Sequence, residues 1–468
     1  MGILDYLALA AVFIGLLSIG RWSSKKTRRA DDFLLAGRSL NKLQAGFSLA
    51  ASDLGGSGLL GTCALCYTAG LSGAWWCWSA APAFFLLGCC LVGRLRPLAV
   101  STIPEFLELR YDKKNRILAC FLQTCALVAS LSAQFFVGAV ALEALFGVPQ
   151  VYGLIISVLL VLSYTATGGL NAVVHTDIFN FCILVGSLLI SIPAVLYRAG
   201  GLSYIAANVS ERFFHIGELG VMEPFSWVLM CIFMYGTQQV FLQRVFAAKD
   251  NSVARFAYCF TGGMYIMYGL GVGLIGIAMS VLVPSLADSN SVYSVMIRTV
   301  LPTGLAGLAL GGIFAASLST ADSTILAGST LFVNDIYKVF INKEASEQRV
   351  LWVSRITTGI ICVGGVIVAN LMQNLIDIVY LAGLFYSAAV FFPVVFGVYW
   401  KRGNAEGCFA AILTSVAVGF FVEYGCGGAW LGLPSNAIAA LAGILVLVVV
   451  SLCTPPPSEE QLKGFESV

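Results

Sequence analysis

Charge is what this chain has least of: Asp, Glu, Lys and Arg make up only 11% of its 468 residues. A soluble fold of that length needs a far more polar surface, so composition argues against a soluble enzyme or a nucleic-acid binder. Histidine is nearly missing, with His175 and His215 alone, which leaves little for histidine-based catalysis. The 14 cysteines provide one CxxC, at Cys63 and Cys66, with no second pair beside it. They read as small apolar fillers, not as a metal or redox centre. No polar stretch is long enough for a soluble domain, so no attached nucleotide-binding module is expected to power the protein. A net charge of +2 marks no nucleic-acid surface.

What is present is oil. Hydrophobic residues are 59% of the chain and the mean hydropathy is +0.90. Only helices and closed barrels satisfy their backbone in lipid, and apolar runs of about 20 residues select helices over short alternating strands. The sequence predicts an all-α polytopic membrane protein of about 13 spans, roughly 3–21, 43–66, 70–93, 117–146, 151–167, 172–195, 225–243, 256–283, 304–333, 352–371, 376–399, 406–424 and 436–453. With the N-terminus outside, every Lys and Arg except Arg198, Arg212 and Arg298 falls in the inner loops, which fixes N-out and C-in. Residues 1–453 then form one transmembrane domain, and 454–468 a short, polar, disordered cytoplasmic tail. The first span is too long for a signal peptide and lacks its small-residue cleavage site. A cell membrane is expected, bacterial inner or plasma, with the lipid bilayer as surroundings.

Four stretches carry polar chemistry inside these runs. In FAASLSTADSTILAGSTLFVNDIYK, at 314–338, Ala316, Ser319, Thr320 and Ser323 follow helical spacing and share one face, with Asp322 at its border. Hard oxygens beside a negative charge suit an alkali cation, and intramembrane acids usually serve a pathway or an ion. In LAASDLGGSGLLG, at 49–61, glycines 55, 56, 58 and 61 weaken a helix beside Asp53. A helix broken at that depth frees carbonyls for cations and solute groups, though such glycines also serve close helix packing. GGLNAVVHTDIFNF, at 168–181, places Asp177 near an inner turn, where an acid is as ready to snorkel as to bind. GTQQVFLQRVFAAKD, at 236–250, puts Thr237, Gln238 and Gln239 inside a span, as interhelical glue or solute contacts, with Gln243, Arg244 and Lys249 marking its cytoplasmic exit.

With these residues in order, the chain resembles the sodium:solute symporter family along nearly its whole length. The resemblance rests on GRSL at 37–40, ASDL at 51–54, GGLNAVVHTD at 168–177, QQVFLQR at 238–244, AASLSTADS at 315–323, DIYK at 335–338 and FFPVVFGVYWKR at 391–402. It implies a LeuT-like fold of two inverted five-helix repeats, here spans 2–6 and 7–11. Sodium would bind to backbone oxygens of Ala51, Leu54 and Ala316 and hydroxyls of Ser319 and Thr320. Asp177, Asp322 and Ser323 lie where some members hold a second cation. Asp53, Ser57, Ser130, Gln134, Gln238 and Gln239 are the solute candidates, Asp53 matching an acid of proline carriers. Gly58 and Ser130 stand where sugar carriers offer amides, and His175 replaces the usual tryptophan.

The expected activity is sodium-coupled symport of a small organic solute, an amino acid or amine foremost, by alternating access. No cofactor is expected beyond Na⁺ as coupling ion, no nucleic-acid partner, and a monomer. Proton coupling through Asp53, Asp177 and Asp322, or a vitamin-acid or sugar cargo, are the alternatives. A non-transporting sensor is more distant, since no output domain is seen. A membrane enzyme finds no catalytic cluster in the loops.

Overall fold

The computed structural model describes residues 2–146, 149–371, 384–463 and 465. Among them, nine helices are long and apolar enough to cross a membrane, or ten if one bent pair is a single span. In chain order the main helices are α1 (Ile3–Ser24), α2 (Lys42–Asp53), α3 (Gly56–Ala69), α4 (Ala80–Cys90), α5 (Ile103–Arg110), α6 (Lys113–Phe146), α7 (Gln150–Arg198), α8 (Met222–Thr237), α9 (Gln239–Ala247), α10 (Asn251–Leu282), α11 (Leu305–Leu331), α12 (Glu347–Leu371), α13 (Ala389–Tyr399), α14 (Ala405–Phe420) and α15 (Ser435–Cys453). A two-residue hairpin pairs Ala429–Trp430 with Leu433–Pro434.

Where they are described, the thirteen expected runs are mostly helical, with interruptions such as Leu54–Gly55 and Gln238, and they are grouped differently. The run 43–66 is split between α2 and α3, while 151–167 and 172–195 are joined in α7 across a kink at Gly169 (φ 56°, ψ −146°). A Cβ at Gly169 would stand 2.3 Å from the carbonyl oxygen of Phe33, so the positive φ and the close approach both demand glycine. The run 225–243 is the bent pair α8 and α9, at 48°. Of the run 376–399, the part before Leu384 lies outside the described residues.

The helix with the hydroxyl face sits at the centre. Of an 18-residue apolar stretch within the span Leu305–Ile341, 83% is buried, with α1, α6, α7 and α12 packed around the central helix. Its hydroxyls therefore face protein, not lipid. Asp5 of α1 ties down its start: Oδ1 accepts from the backbone N–H groups of Gly304 at 2.7 Å and Gly307 at 2.9 Å, satisfying orphan donors where a helix dipole favours an anion. Beyond α11 the chain continues as a π-helical segment, Phe332–Ile341, whose Asp335 is gripped by Arg116. Arg116 Nε donates to Asp335 Oδ1 at 2.7 Å and Nη2 to the Asn334 carbonyl at 3.0 Å, while Nη1 reaches Glu108. Thr102 adds a hydroxyl to the same Asp335 oxygen at 2.9 Å. Arg116 thereby ties α5 and the start of α6 to the end of the central helix.

The described part of the tail is more ordered than its composition suggests. A short helix covers Glu459–Lys463, Gln461 Nε2 donates to the Tyr111 carbonyl at 3.0 Å, and the Phe465 ring packs edge-on against Phe106 at 5.8 Å. One aromatic and one amide give an otherwise polar segment enough to dock.

Candidate cation and solute site

The break between α2 and α3 forms because Leu54 leaves the helix (φ −70°, ψ 60°) and Gly55 is extended (φ −80°, ψ 171°). The Gly55 N–H closes on the Asp53 carbonyl at 2.6 Å instead of completing the helical bond to Ala51, whose carbonyl is thereby released. At the start of α3, Gly55 provides no side-chain cap, so the first N–H groups of the half-helix are also available. The break presses against α11: an added Cβ on Gly55 would stand 2.9 Å from Thr320 Oγ1 and 3.7 Å from Gln134 Oε1. Ala51, Leu54, Ala316 and Ser319 are buried and Thr320 is half-buried. The Thr320 hydroxyl donates to the Ala316 carbonyl at 3.2 Å. The five residues named for sodium thus belong to two segments in close approach, one broken and one intact.

Beside them lies a polar cluster drawn from four helices. Ser48 of α2 donates to Asp177 Oδ2 at 2.5 Å and Ser52 to the same oxygen at 3.4 Å. Ser319 of α11 donates to Asp177 Oδ1. Arg244 of α9 reaches Asp177 Oδ2 with Nη2 at 3.1 Å, both side chains having 0% exposure. Asp177 does not snorkel: three serines and a guanidinium hold it inside. Ser323 lies 2.9 Å from Ser52 Oγ and also meets Arg244 Nη2. Asp322 accepts from Tyr164 at 2.8 Å and from Ser323 at 3.2 Å. The three residues named for a second cation are together, with an arginine among them.

The solute candidates divide into two groups. Asp53 is half-buried at the break, its Oδ2 accepting from the Tyr265 hydroxyl at 2.7 Å. Around Tyr265 are Phe84, at 5.9 Å and stacked, and Tyr235, itself stacked on Phe84 at 4.0 Å. Gln134 is buried with Oε1 unpartnered, and half-buried Ser130 precedes it by one helical turn. Gln238 forms the second break: it is extended (φ −71°, ψ 133°), and its Nε2 donates to Ser387 at 3.4 Å. The carbonyl freed at Thr237 is taken by Gln123 at 3.2 Å and Tyr386 at 3.0 Å. Gln239 turns elsewhere, donating to the Ser101 carbonyl at 2.7 Å, and Gln243 bonds the Leu34 carbonyl at 2.6 Å and Thr330 at 2.9 Å. Both act as glue. The side chain of Ser57 lies outside the described ones.

Arg244, Ser48, Ser52, Tyr164 and Tyr265 were not singled out by sequence reasoning as site residues. Ser48 and Ser52 carry a usable signal, being one turn apart on the helix that ends in Asp53. His175, the other departure, bonds the Asn171 carbonyl through Nδ1 at 2.7 Å and meets Ser23 Oγ at 3.1 Å. Among the described residues, no group of three or more His, Cys, Asp or Glu is arranged for a metal ion.

Residues 33–415 match the model of the sodium:solute symporter family. The chain is 25% identical to a sodium/glucose cotransporter of Vibrio parahaemolyticus, over 91% of this chain and 86% of that one. It is 26% identical to a sodium/proline symporter of Salmonella typhimurium, over 96% and 93%. To a high-affinity choline transporter of Caenorhabditis elegans it is 27% identical, over 92% and 79%. In structure it superposes on a Na⁺-coupled sialic acid symporter in its substrate-bound outward-open state with a TM-score of 0.89, at 20% identity over 98% of this chain and 99% of that one.

Proposed function

The chain belongs to the sodium:solute symporter family, and from that premise we propose that it couples sodium at the α2–α3 break to the uptake of an amino acid or small amine. It is a multi-pass membrane transporter that moves a small organic solute with sodium, and like its relatives it is not an enzyme. The sodium ion takes the carbonyls of Ala51, Leu54 and Ala316 and the hydroxyls of Ser319 and Thr320. The observation that carries this is the approach of the break to α11, close enough that a single Cβ at Gly55 would meet Thr320. An ion bridging a broken helix and an intact one stabilises the arrangement in which they are together, and releases them when it leaves.

The solute sits beside the same break. Asp53, ringed by tyrosine hydroxyls and aromatic faces, offers an acceptor for an ammonium, whose charge also favours the aromatic π-systems. The uncapped start of α3 suits the carboxylate of an amino acid, and the unpartnered Gln134 amide oxygen is an acceptor for its ammonium. Ser130 and Gln238 complete the lining. Relatives named for proline and choline support a nitrogenous solute. In this reading the monomer is the transporting unit, with its N-terminus outside and its C-terminus inside.

The test is uptake by purified protein in liposomes. A panel of radiolabelled amino acids and amines is offered under an inward Na⁺ gradient and under an equal K⁺ gradient. Accumulation of one of them with Na⁺ alone supports the reading. Accumulation only of a hexose or a carboxylic acid without an amine would contradict the solute assignment, and equal uptake with K⁺ would contradict the coupling.

A further inference from the structure

We propose that Arg244 is the built-in cation of the Asp177–Ser323 cluster, so that this chain binds one sodium ion per molecule and not two. This rests on the sodium reading above and goes beyond it to the number of ions. The guanidinium sits where a metal ion would have to sit. Its Nη2 touches Asp177 Oδ2 at 3.1 Å and Ser323 Oγ, its Nε meets Ser48 Oγ at 3.2 Å, and its Nη1 is anchored on the Val240 carbonyl of its own helix at 2.8 Å. These are two of the three residues that the sequence offers to a second ion, already bonded by a positive group.

A fully buried guanidinium cannot be moved aside cheaply, because leaving it or Asp177 unpaired exposes the whole cost of a buried charge. A sodium ion brought to the same oxygens would also meet a like charge within contact distance. What remains of the cluster is Asp322, whose partners are the Tyr164 and Ser323 hydroxyls. Ser323 is shared with Arg244, so Asp322 alone offers a poor cage.

The pair also acts on the sodium site. A serine hydroxyl has one hydrogen and two lone pairs. Ser319 gives its hydrogen to Asp177 Oδ1, which leaves its lone pairs to accept a cation. Arg244, by fixing Asp177 from the opposite oxygen, is a positioning residue for the sodium ligand, and it does so from α9, the half-helix beyond the second break.

The experiment is the count of ²²Na⁺ bound per molecule of the detergent-purified full chain at saturation, together with the Hill coefficient of sodium-dependent stabilisation. One ion and a coefficient near one are expected. Two ions with Arg244 intact would overturn the proposal, while no bound sodium would overturn the sodium reading beneath it. Arg244→Lys keeps a cation in place and is expected to retain the count of one. Arg244→Gln vacates the position and is expected to steepen the sodium dependence toward two ions, with a higher half-saturating concentration. If Arg244→Gln does not fold, the wild-type count and the Lys variant decide the matter. A Lys variant that binds two ions would contradict the proposal.

Discussion

A single methyl group at Gly55 probes the sodium site with little else disturbed. Its backbone (φ −80°, ψ 171°) is open to any residue, so Gly55→Ala carries no conformational strain. Its Cβ, however, would lie 2.9 Å from Thr320 Oγ1. The neighbour is β-branched and held by the Ala316 carbonyl, so it yields only by moving a sodium ligand. Overpacking of this kind costs about 1–3 kcal/mol. If that cost falls on the bound state, the half-saturating sodium concentration rises by roughly 5- to 150-fold. Gly58→Ala is the control, because nothing lies within 4 Å of its added Cβ and alanine favours a helix interior by about 0.5–1 kcal/mol. Thermal unfolding of both variants, titrated with NaCl, reads the difference. Gly58→Ala should keep the wild-type midpoint. An unchanged sodium midpoint in folded Gly55→Ala would refute the placement of the ion between the break and Thr320.

Ser319→Ala removes one of the five oxygens and strips Asp177 of a charge-assisted hydrogen bond, about 1.5–3 kcal/mol. A 10- to 100-fold weaker sodium response is expected on the order of that loss, with the preferred solute unchanged in competition uptake. Asp53→Asn keeps the shape and the Tyr265 contact but removes the charge. It should abolish sodium-driven amine uptake while leaving sodium-dependent stabilisation, measured on the same preparation. Arg116→Gln leaves Asp335 buried without its cation, a loss of about 3–5 kcal/mol. A markedly lower melting temperature should follow, whereas an exposed arginine such as Arg349 should tolerate the same change within about 0.5 kcal/mol.

The parts of this architecture that are local in sequence were legible there. Four glycines around Asp53 announced a broken helix because glycine weakens helices wherever it stands, whereas the glycines at 168–169 announced an inner turn between two spans and the structure has a kink there within α7. The hydroxyl face of the central helix followed from spacing alone. What stayed hidden depends on which helix lies opposite. Asp177 near an inner turn has equal claim to water and to the interior until Ser48, Ser319 and Arg244 are seen converging on it from three other helices. Arg244 itself counts as an exit marker in any tally of positive charges, and its burial becomes visible only once α9 bends away from α8. Tyr265 carries no signal at all, being one aromatic in a chain that is 12% aromatic.

The central claim is that sodium and solute bind together at one broken helix. Its most direct measurement is thermal unfolding of the purified protein in NaCl against KCl at equal ionic strength, repeated across the amino acid and amine panel. Ligand binding stabilises the folded state by mass action, about 2.7 kcal/mol at 100 times the dissociation constant. The account predicts a rise in melting temperature specific to sodium, and a solute that stabilises further only when sodium is present. A melting temperature indifferent to the exchange of sodium for potassium, with solute binding undiminished, would contradict it.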